Sequence, residues 1–234
     1  MSDLEQIIKL VRDLAGVDEK KLLSFQAHGF RVMYLACKLG RRMGVYDADL
    51  RLAALLHDIG KIGVDSAILF KPGPLNHIEY LIIQAHSHIG NRIVRELLDR
   101  PRAAEFIRDH HERWDGRGYP RGLAGDAIPV QSQIISVCDA FDTMTVERRV
   151  YQAPPMRVAD ALNEIRQCAG KQFGPRVARE FVEMIRHSPL RSDDHEWYRG
   201  VEEYLPLLHR RGQPAEAVRK YLEDTAAAGD ESGL

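Results

Sequence analysis

The sequence has 234 residues, of which 44% are hydrophobic and 29% are charged, as is usual for a globular chain with its own core. Its formal net charge of −1 gives no reason to expect a DNA or RNA polymer as partner, because a phosphate-tracking surface usually makes a chain basic. The charged N-terminus and the short apolar runs argue against a signal peptide and a membrane span. Three widely spaced cysteines, with no CxxC pair, favour a reducing, cytoplasmic compartment.

Apolar residues recur at three- and four-residue steps along most of the chain, which predicts helices and no strand. The predicted helices cover about 4–14, 22–40, 49–57, 76–86, 88–99, 102–112, 130–146, 156–169 and 175–186. Gly40 is expected to close the second helix, and Asn76 to cap the fourth. The fold class is therefore predicted to be all-α.

Two segments interrupt the helical pattern. Lys71-Pro72-Gly73-Pro74 predicts a loop, because two prolines around a glycine cannot continue a helix. Residues 113–130 contain four glycines and two prolines, and a loop of this length inside a compact domain is typically functional. Beyond residue 187 the aromatic and leucine pattern predicts a C-terminal helical extension with a frayed tail. The predicted organisation is an N-terminal helix over 1–20, a main domain over 21–187 and the extension over 188–234.

The histidines are the main functional clue. His57 and Asp58 are adjacent at the end of an apolar helix, where an imidazole and a carboxylate can share metal ions. Such a pair on its own is more often a core histidine beside a capping aspartate. Further candidates lie on or at the ends of other predicted helices, and a helix bundle can direct side chains from several helices into one site. They are His28, His86, His110, His111 and Asp139.

The order of these residues resembles the HD superfamily of metal phosphohydrolases, and the glycine-rich segment resembles its HD-GYP subfamily. The matching segments are HDIGKIGVDSAILFKPGPL, HSHIG at 86–90, HHERWDGRGYPRGLAGDAIP, CDAFDTMT at 138–145 and GKQFGPRVAREF at 170–181. The resemblance covers about residues 25–185. It implies an HD-type helical bundle in which 113–130 forms the long GYP loop.

The resemblance also implies roles for individual residues. Asp58 would bridge two metal ions, and Lys61 would reach the scissile phosphate, which makes these two the expected catalytic residues. The implied metal ligands are His28, His57, Asp58, His86, His110, His111 and Asp139. The implied substrate-binding residues are Lys61, Gly118, Tyr119, Arg148 and Arg149.

Two positions depart from the family pattern. Ser24 stands where three-metal members have a glutamate, so we expect two metal ions. Family members usually place two cations after the distal aspartate, whereas residues 147–152 here are ERRVYQ. Arg148 or Arg149 can supply the first cation, but Tyr151 or Gln152 takes the second position. Losing one charged contact weakens substrate binding by about 1.5–3 kcal/mol.

The function that the resemblance implies is bacterial cyclic di-GMP hydrolysis to the linear dinucleotide pGpG, with GMP as a further product left open. The nucleophile would be a hydroxide bridging two divalent transition-metal ions, iron or manganese before zinc, nickel or cobalt. A homodimer and a diguanylate-cyclase (GGDEF) partner at the GYP loop are left open. The alternatives are another cyclic dinucleotide such as cyclic GMP-AMP, or a receptor that binds cyclic di-GMP without hydrolysing it. A purely structural adaptor would leave the histidines unexplained.

Overall fold

The computed structural model describes residues 19–146 and 155–187. The helix predicted over 4–14, the ERRVYQ segment and the C-terminal extension lie outside the described residues. The proposed domain boundaries after residues 20 and 187 therefore remain predictions.

The described residues form helices and no strand, which confirms the all-α prediction. The nine α-helices are α1 (Glu19–Met43), α2 (Ala48–Leu56), α3 (Ser66–Leu69), α4 (His77–Gln84), α5 (His86–Leu98), α6 (Pro101–Asp109), α7 (Val130–Thr145), α8 (Val158–Gln167) and α9 (Pro175–His187). Two 3₁₀ turns, Ile59–Gly63 and Gly125–Ala127, complete the set. None of the helices described is both long and apolar enough to cross a lipid bilayer.

Apolar faces spaced at three and four residues form the core. On α1, Val32, Leu35 and Leu39 are at most 1% exposed, as their spacing predicts. Phe141 of α7 meets Phe181 of α9 edge-to-face, with ring centroids 5.1 Å apart, and both rings are buried. Burying each such side chain contributes about 1.5–3 kcal/mol. These contacts hold the carboxyl-terminal helices against the centre of the bundle.

Several predicted helix ends are confirmed. Asn76 and Glu79 form a reciprocal capping box at the start of α4. The chain leaves α5 through Asp99, whose φ of 50° is left-handed, and Pro101 begins α6. The segment between the 3₁₀ turn and α4 is more ordered than its prolines suggested, since Asp65 caps the short helix α3.

The prediction that Gly40 closes α1 was wrong, because the helix continues to Met43. A Cβ on Gly40 would lie 2.6 Å from Leu50 Cδ2, so this glycine permits close packing of α1 on α2. The helix ends instead at Gly44, whose φ of 71° is the left-handed conformation that glycine adopts readily. Both glycines fit a helix end by composition, and only the packing distinguishes them.

A second pair of glycines joins the elements that carry the candidate ligands. A Cβ on Gly60 would lie 1.9 Å from the carbonyl oxygen of His86 and 2.6 Å from the backbone nitrogen of Gly90. A Cβ on Gly90 would lie 2.9 Å from Ile107 Cγ2 on α6. The 3₁₀ turn, α5 and α6 thus meet at distances that only glycine allows.

Candidate metal centre

The structure brings all seven predicted ligands into one cluster. Five parts of the chain supply them: α1, the end of α2, the start of α5, the end of α6 and the middle of α7. The buried members are His28, His57, Asp58, His86 and His110. His111 and Asp139 are partly exposed, so the cluster opens to solvent on their side. The assignment of all seven residues as metal ligands remains a prediction.

Asp58 belongs to two overlapping groups of donor atoms. It joins His86, His110 and His111 in one group, and it joins His28 and His57 in the other. Within each group the donor atoms lie within 4.8 Å of one another. A carboxylate has two oxygens, so Asp58 can serve both groups at once.

Three of the histidines are oriented by the backbone. The Nδ1 atoms of His57, His86 and His110 each donate to the carbonyl oxygen three residues earlier, at 2.9, 2.6 and 2.6 Å. A carbonyl can only accept, so the proton of each neutral ring is on Nδ1 and the Nε2 lone pair faces the cluster. This is the arrangement that metal-binding histidines usually have.

Two buried nitrogens remain without a hydrogen bond. Within the described chain, Nε2 of His86 and Nε2 of His110 have no hydrogen-bond partner. An unsatisfied buried polar atom costs about 1–3 kcal/mol, so two together need an explanation. A cation between them would supply one. The donor set, imidazole nitrogens with carboxylate oxygens, fits a transition-metal ion.

Burial keeps the imidazoles in their ligating form. It lowers the pKa of His86 and of His110 to about 4, and nearby charged groups only modulate this. Burial also lowers the pKa of His57 and takes that of His111 well below its usual value. These rings are therefore neutral near pH 7, and a neutral imidazole is the form that binds metal.

Asp58 is ionised despite its burial. Burial alone would raise its pKa, but Lys61 and the surrounding histidines outweigh that effect and hold the pKa well below its usual range. The ammonium of Lys61 donates to Asp58 Oδ2 at 2.5 Å. The predicted catalytic pair is thus in direct contact, with the lysine at the partly exposed edge of the cluster.

His28 is held differently, by a carboxylate that the sequence reasoning missed. Its Nδ1 donates to Asp142 Oδ2 at 2.7 Å, while its Nε2 lies 3.0 Å from Asp139 Oδ1 and 3.1 Å from His57 Nε2. The guanidinium of Arg31 donates to both Asp142 oxygens, at 2.6 and 2.9 Å. Burial disfavours the charged ring, but the hydrogen bonds to both aspartates outweigh it and raise the pKa of His28.

A signal for Asp142 was present in the sequence. It follows Asp139 by three residues on α7, and Arg31 follows His28 by three residues on α1, so each pair shares a helix face. Burial raises the pKa of Asp142, but the hydrogen bonds from His28 and Arg31 prevail and lower it to about 2. This carboxylate orients His28, since it accepts from the ring nitrogen opposite the cluster.

The predicted substrate-binding residues of the loop lie beside the cluster. The ring of Tyr119 stacks on His111, with centroids 4.8 Å apart and planes 29° apart. Gly118 has a packing role, because a Cβ there would lie 2.3 Å from Arg113 N and 2.6 Å from the His111 carbonyl oxygen. The structure therefore places Tyr119 at the mouth of the cluster and explains the glycine before it.

Part of the predicted site lies outside the described residues. Arg148 and Arg149 belong to the segment that is not described. Ser24 lies within α1, but its side chain is also outside the description. The expectation of two ions that rests on Ser24, and the substrate roles of the two arginines, stay predictions.

Comparison with known proteins matches residues 7–177 to the HD domain family. A cyclic di-GMP phosphodiesterase of Thermotoga maritima is 37% identical over 187 residues, covering 76% of this chain and 49% of that protein. The 3'3'-cGAMP-specific phosphodiesterase 3 of Vibrio cholerae is 42% identical over 140 residues, covering 58% and 30%. The chain thus spans about half or less of the length of these curated relatives.

Two solved structures have a similar fold. The cyclic GMP-AMP specific phosphodiesterase V-cGAP3 of V. cholerae matches with a TM-score of 0.56 at 22% identity, covering 81% of this chain and 50% of that one. Bd1817, a HDG"Y"P protein from Bdellovibrio bacteriovorus, matches with a TM-score of 0.55 at 20% identity, covering 78% and 60%. At these identities the likeness concerns the helical fold alone.

Proposed function

Because the chain belongs to the HD domain family, and to the HD-GYP group within it, we propose that it is a metal-dependent phosphodiesterase that hydrolyses cyclic di-GMP to pGpG. The observation that carries the proposal is the pair of donor groups sharing Asp58, with Lys61 in contact with that carboxylate. A buried, charged cluster of this kind stabilises the bundle little by itself, so it needs a ligand to account for it.

The proposed cofactor is two divalent transition-metal ions, iron or manganese before zinc, nickel or cobalt. One ion would be held by Asp58, His86, His110 and His111, and the other by His28, His57, Asp58 and Asp139. Two groups that share one carboxylate support a count of two. When bound, such ions polarise phosphate oxygens and lower the pKa of water toward neutrality.

The chain's own residues would prepare the substrate around this centre. The Lys61 ammonium lies at the partly exposed edge, where it can offset the negative charge that builds on phosphate oxygens. The ring of Tyr119, at the mouth, offers an aromatic edge to a nucleotide. We propose that Arg148 or Arg149 supplies one further cation to the substrate. The second cationic position of the family is then taken by Tyr151 or Gln152, which carries no positive charge.

A second substrate has a specific reason to be assayed. Among the relatives, proteins of V. cholerae are named as 3'3'-cGAMP-specific phosphodiesterases, at up to 42% identity to this chain. Cyclic GMP-AMP differs from cyclic di-GMP in one base only, so the metal centre can serve both. Whether hydrolysis continues from pGpG to GMP belongs to the same assay. A homodimer and a diguanylate-cyclase contact through the GYP loop stay predictions.

The test is anaerobic reconstitution with iron or manganese, metal counting, and incubation with cyclic di-GMP or cyclic GMP-AMP with separation of the products. We expect two ions per chain and release of pGpG from cyclic di-GMP. Fewer than about one ion per chain would refute the metal centre. Tight binding of cyclic di-GMP without any pGpG would instead identify a receptor.

Asp58→Ala tests the shared carboxylate. We expect turnover to be abolished and metal content to fall, because both donor groups lose a member. Asp65→Asn is the matched control, since Asp65 is an exposed helix cap and asparagine caps equally well. Near-normal turnover of Asp58→Ala with metal retained would contradict the mechanism.

A further inference from the structure

Two buried carboxylates flank His110 and His111 without joining the cluster. Glu112 is 3% exposed, and its two oxygens accept from the backbone N–H groups of Arg121 and Leu123, at 2.6 and 2.9 Å. Asp109 is fully buried and accepts from the guanidinium of Arg121 at 3.1 and 2.6 Å. In the described chain neither carboxylate is a member of a potential metal-binding group, so their burial has another reason.

These contacts hold the middle of the GYP loop, and we call Glu112, Asp109 and the two loop residues they hold, Arg121 and Leu123, the clasp. Arg108 also donates to Asp109, at 2.9 and 3.3 Å, so this carboxylate forms ion pairs with two arginines. Each oxygen of Glu112 accepts from a different backbone N–H, so a substitution of a loop side chain removes neither hydrogen-bond donor unless it introduces proline. The Glu112 half of the clasp therefore does not depend on the side chains of the loop, whereas the Asp109 half needs the Arg121 guanidinium.

The loop between the two ends of the clasp carries Tyr119 onto the metal centre. The Tyr119 N–H donates to the carbonyl of His111 at 3.2 Å, and its ring stacks on the same residue. Gly118 lies against the backbone of Glu112, where a Cβ would be 2.5 Å from Cα. The chain thus continues from His110 and His111, packs back on His111 through Tyr119, and contacts Glu112 again at Arg121, nine residues further along the sequence.

We propose that Glu112 is a positioning residue of the phosphodiesterase site: by fixing the backbone of Arg121 and Leu123, it keeps Tyr119 stacked on His111 where substrate meets the metal centre. The kinetic part of this proposal rests on the proposed function. Glutamine at position 112 keeps one acceptor oxygen but turns an NH₂ group toward the other backbone donor. One of these two partly buried N–H groups then loses its acceptor, which favours release of the loop.

The kinetic test uses the metal-loaded full chain, with cyclic di-GMP as substrate. Glu112→Gln should lower kcat/KM about tenfold, mainly through a higher KM, since the metal centre is untouched. In a Tyr119→Ala background the same substitution should cost no more than about twofold, because Glu112 acts through that ring. Equal losses in the two backgrounds, or no loss in either, would overturn the proposal.

The control is Glu105→Gln on the exposed edge of the same network. Glu105 contacts Arg108 at 3.2 Å, and its side chain is 44% exposed. A solvated contact of this kind contributes little, so kcat/KM should stay within about twofold of wild type. A tenfold loss in this variant would show that the network as a whole, not Glu112, sets the position of the loop.

A second readout needs no turnover. Arg117 is exposed in the loop, and trypsin cleaves after arginine only where the chain can open locally. Glu112→Gln should speed cleavage at this site about tenfold, with metal content unchanged. An unchanged cleavage rate would overturn the clasp. If wild type hydrolyses no cyclic dinucleotide while cleavage accelerates, the proposed function fails and the clasp stands. If wild type is active and Glu112→Gln changes neither kcat/KM nor the cleavage rate, the proposed function stands and the clasp proposal fails.

Discussion

Replacing Gly60 with alanine would test whether the 3₁₀ turn and α5 must touch backbone to backbone. The added Cβ would lie 1.9 Å from the His86 carbonyl oxygen and 2.6 Å from Gly90 N, and no rotamer change can move these atoms. Overpacking typically costs about 1–3 kcal/mol, and backbone partners place this case at about 3 kcal/mol. For a domain of roughly this size, each kcal/mol lowers Tm by about 2–4 °C, so Tm should fall by about 6–12 °C.

The assay is thermal unfolding followed by circular dichroism, with chelator present so that metal binding does not contribute. Gly63→Ala is the matched control in the same turn, because its Cβ would meet the flexible Ile89 side chain, at 2.9 Å from Cδ1. That variant should lose less than about 1 kcal/mol. Equal Tm values for the two variants would refute the close-contact reasoning. Metal affinity should also fall in Gly60→Ala, since the turn follows Asp58 and α5 begins at His86.

Two further predictions concern groups that are buried away from solvent. Asp142→Asn should weaken metal binding about 10–100-fold by loosening His28, measured by competition with a chelator, and unchanged affinity would contradict its orienting role. In the folded protein at pH 8, iodoacetamide should modify Cys168 and spare the two buried thiols, because burial raises the pKa of Cys37 to about 11 and that of Cys138 well above its usual value. Mass spectrometry checks this, and the Cys168 rate should rise with pH as its thiolate forms.

The cluster of candidate ligands was predictable from sequence because its members are chemically distinctive and most of them lie at helix ends. An adjacent His57-Asp58 pair is weak evidence, but residues of the same chemistry at the ends of other helices must converge if the helices form one bundle. The structure brings them together as expected. The glycine that ends α1 was harder to identify from sequence. Gly40 and Gly44 differ in their neighbours in space and not in any local pattern, so the wrong one was assigned to the helix end.

The supporting carboxylates were missed for two different reasons. Asp142 shares a helix face with Asp139, so its spacing carried a signal that was not used. Glu112 stands in the matching segment HHERWDGRGYPRGLAGDAIP, but nothing in the sequence pointed to its partners, because these are backbone N–H groups of Arg121 and Leu123, which every residue but proline possesses. A hydrogen bond from a side chain to a backbone group does not require a particular residue type at the backbone position. Such a contact can therefore be found only from the path of the loop in the structure.

The hydrogen bonds from His57, His86 and His110 to carbonyls three residues earlier have a consequence for how the chain acquires metal. Those carbonyls are in the last turns of α2, α4 and α6, where the regular backbone hydrogen bonds of the helix end. At Ile83 the backbone N–H of Ala85 donates to the same oxygen as His86 does. Each imidazole is thus a C-terminal cap and a candidate ligand at once. Folding the helices sets the tautomers and aims the lone pairs before any ion arrives, so little ordering is left for binding itself. Alanine at any of the three positions therefore removes a helix-capping hydrogen bond as well as a candidate metal ligand, and should destabilise the metal-free protein too.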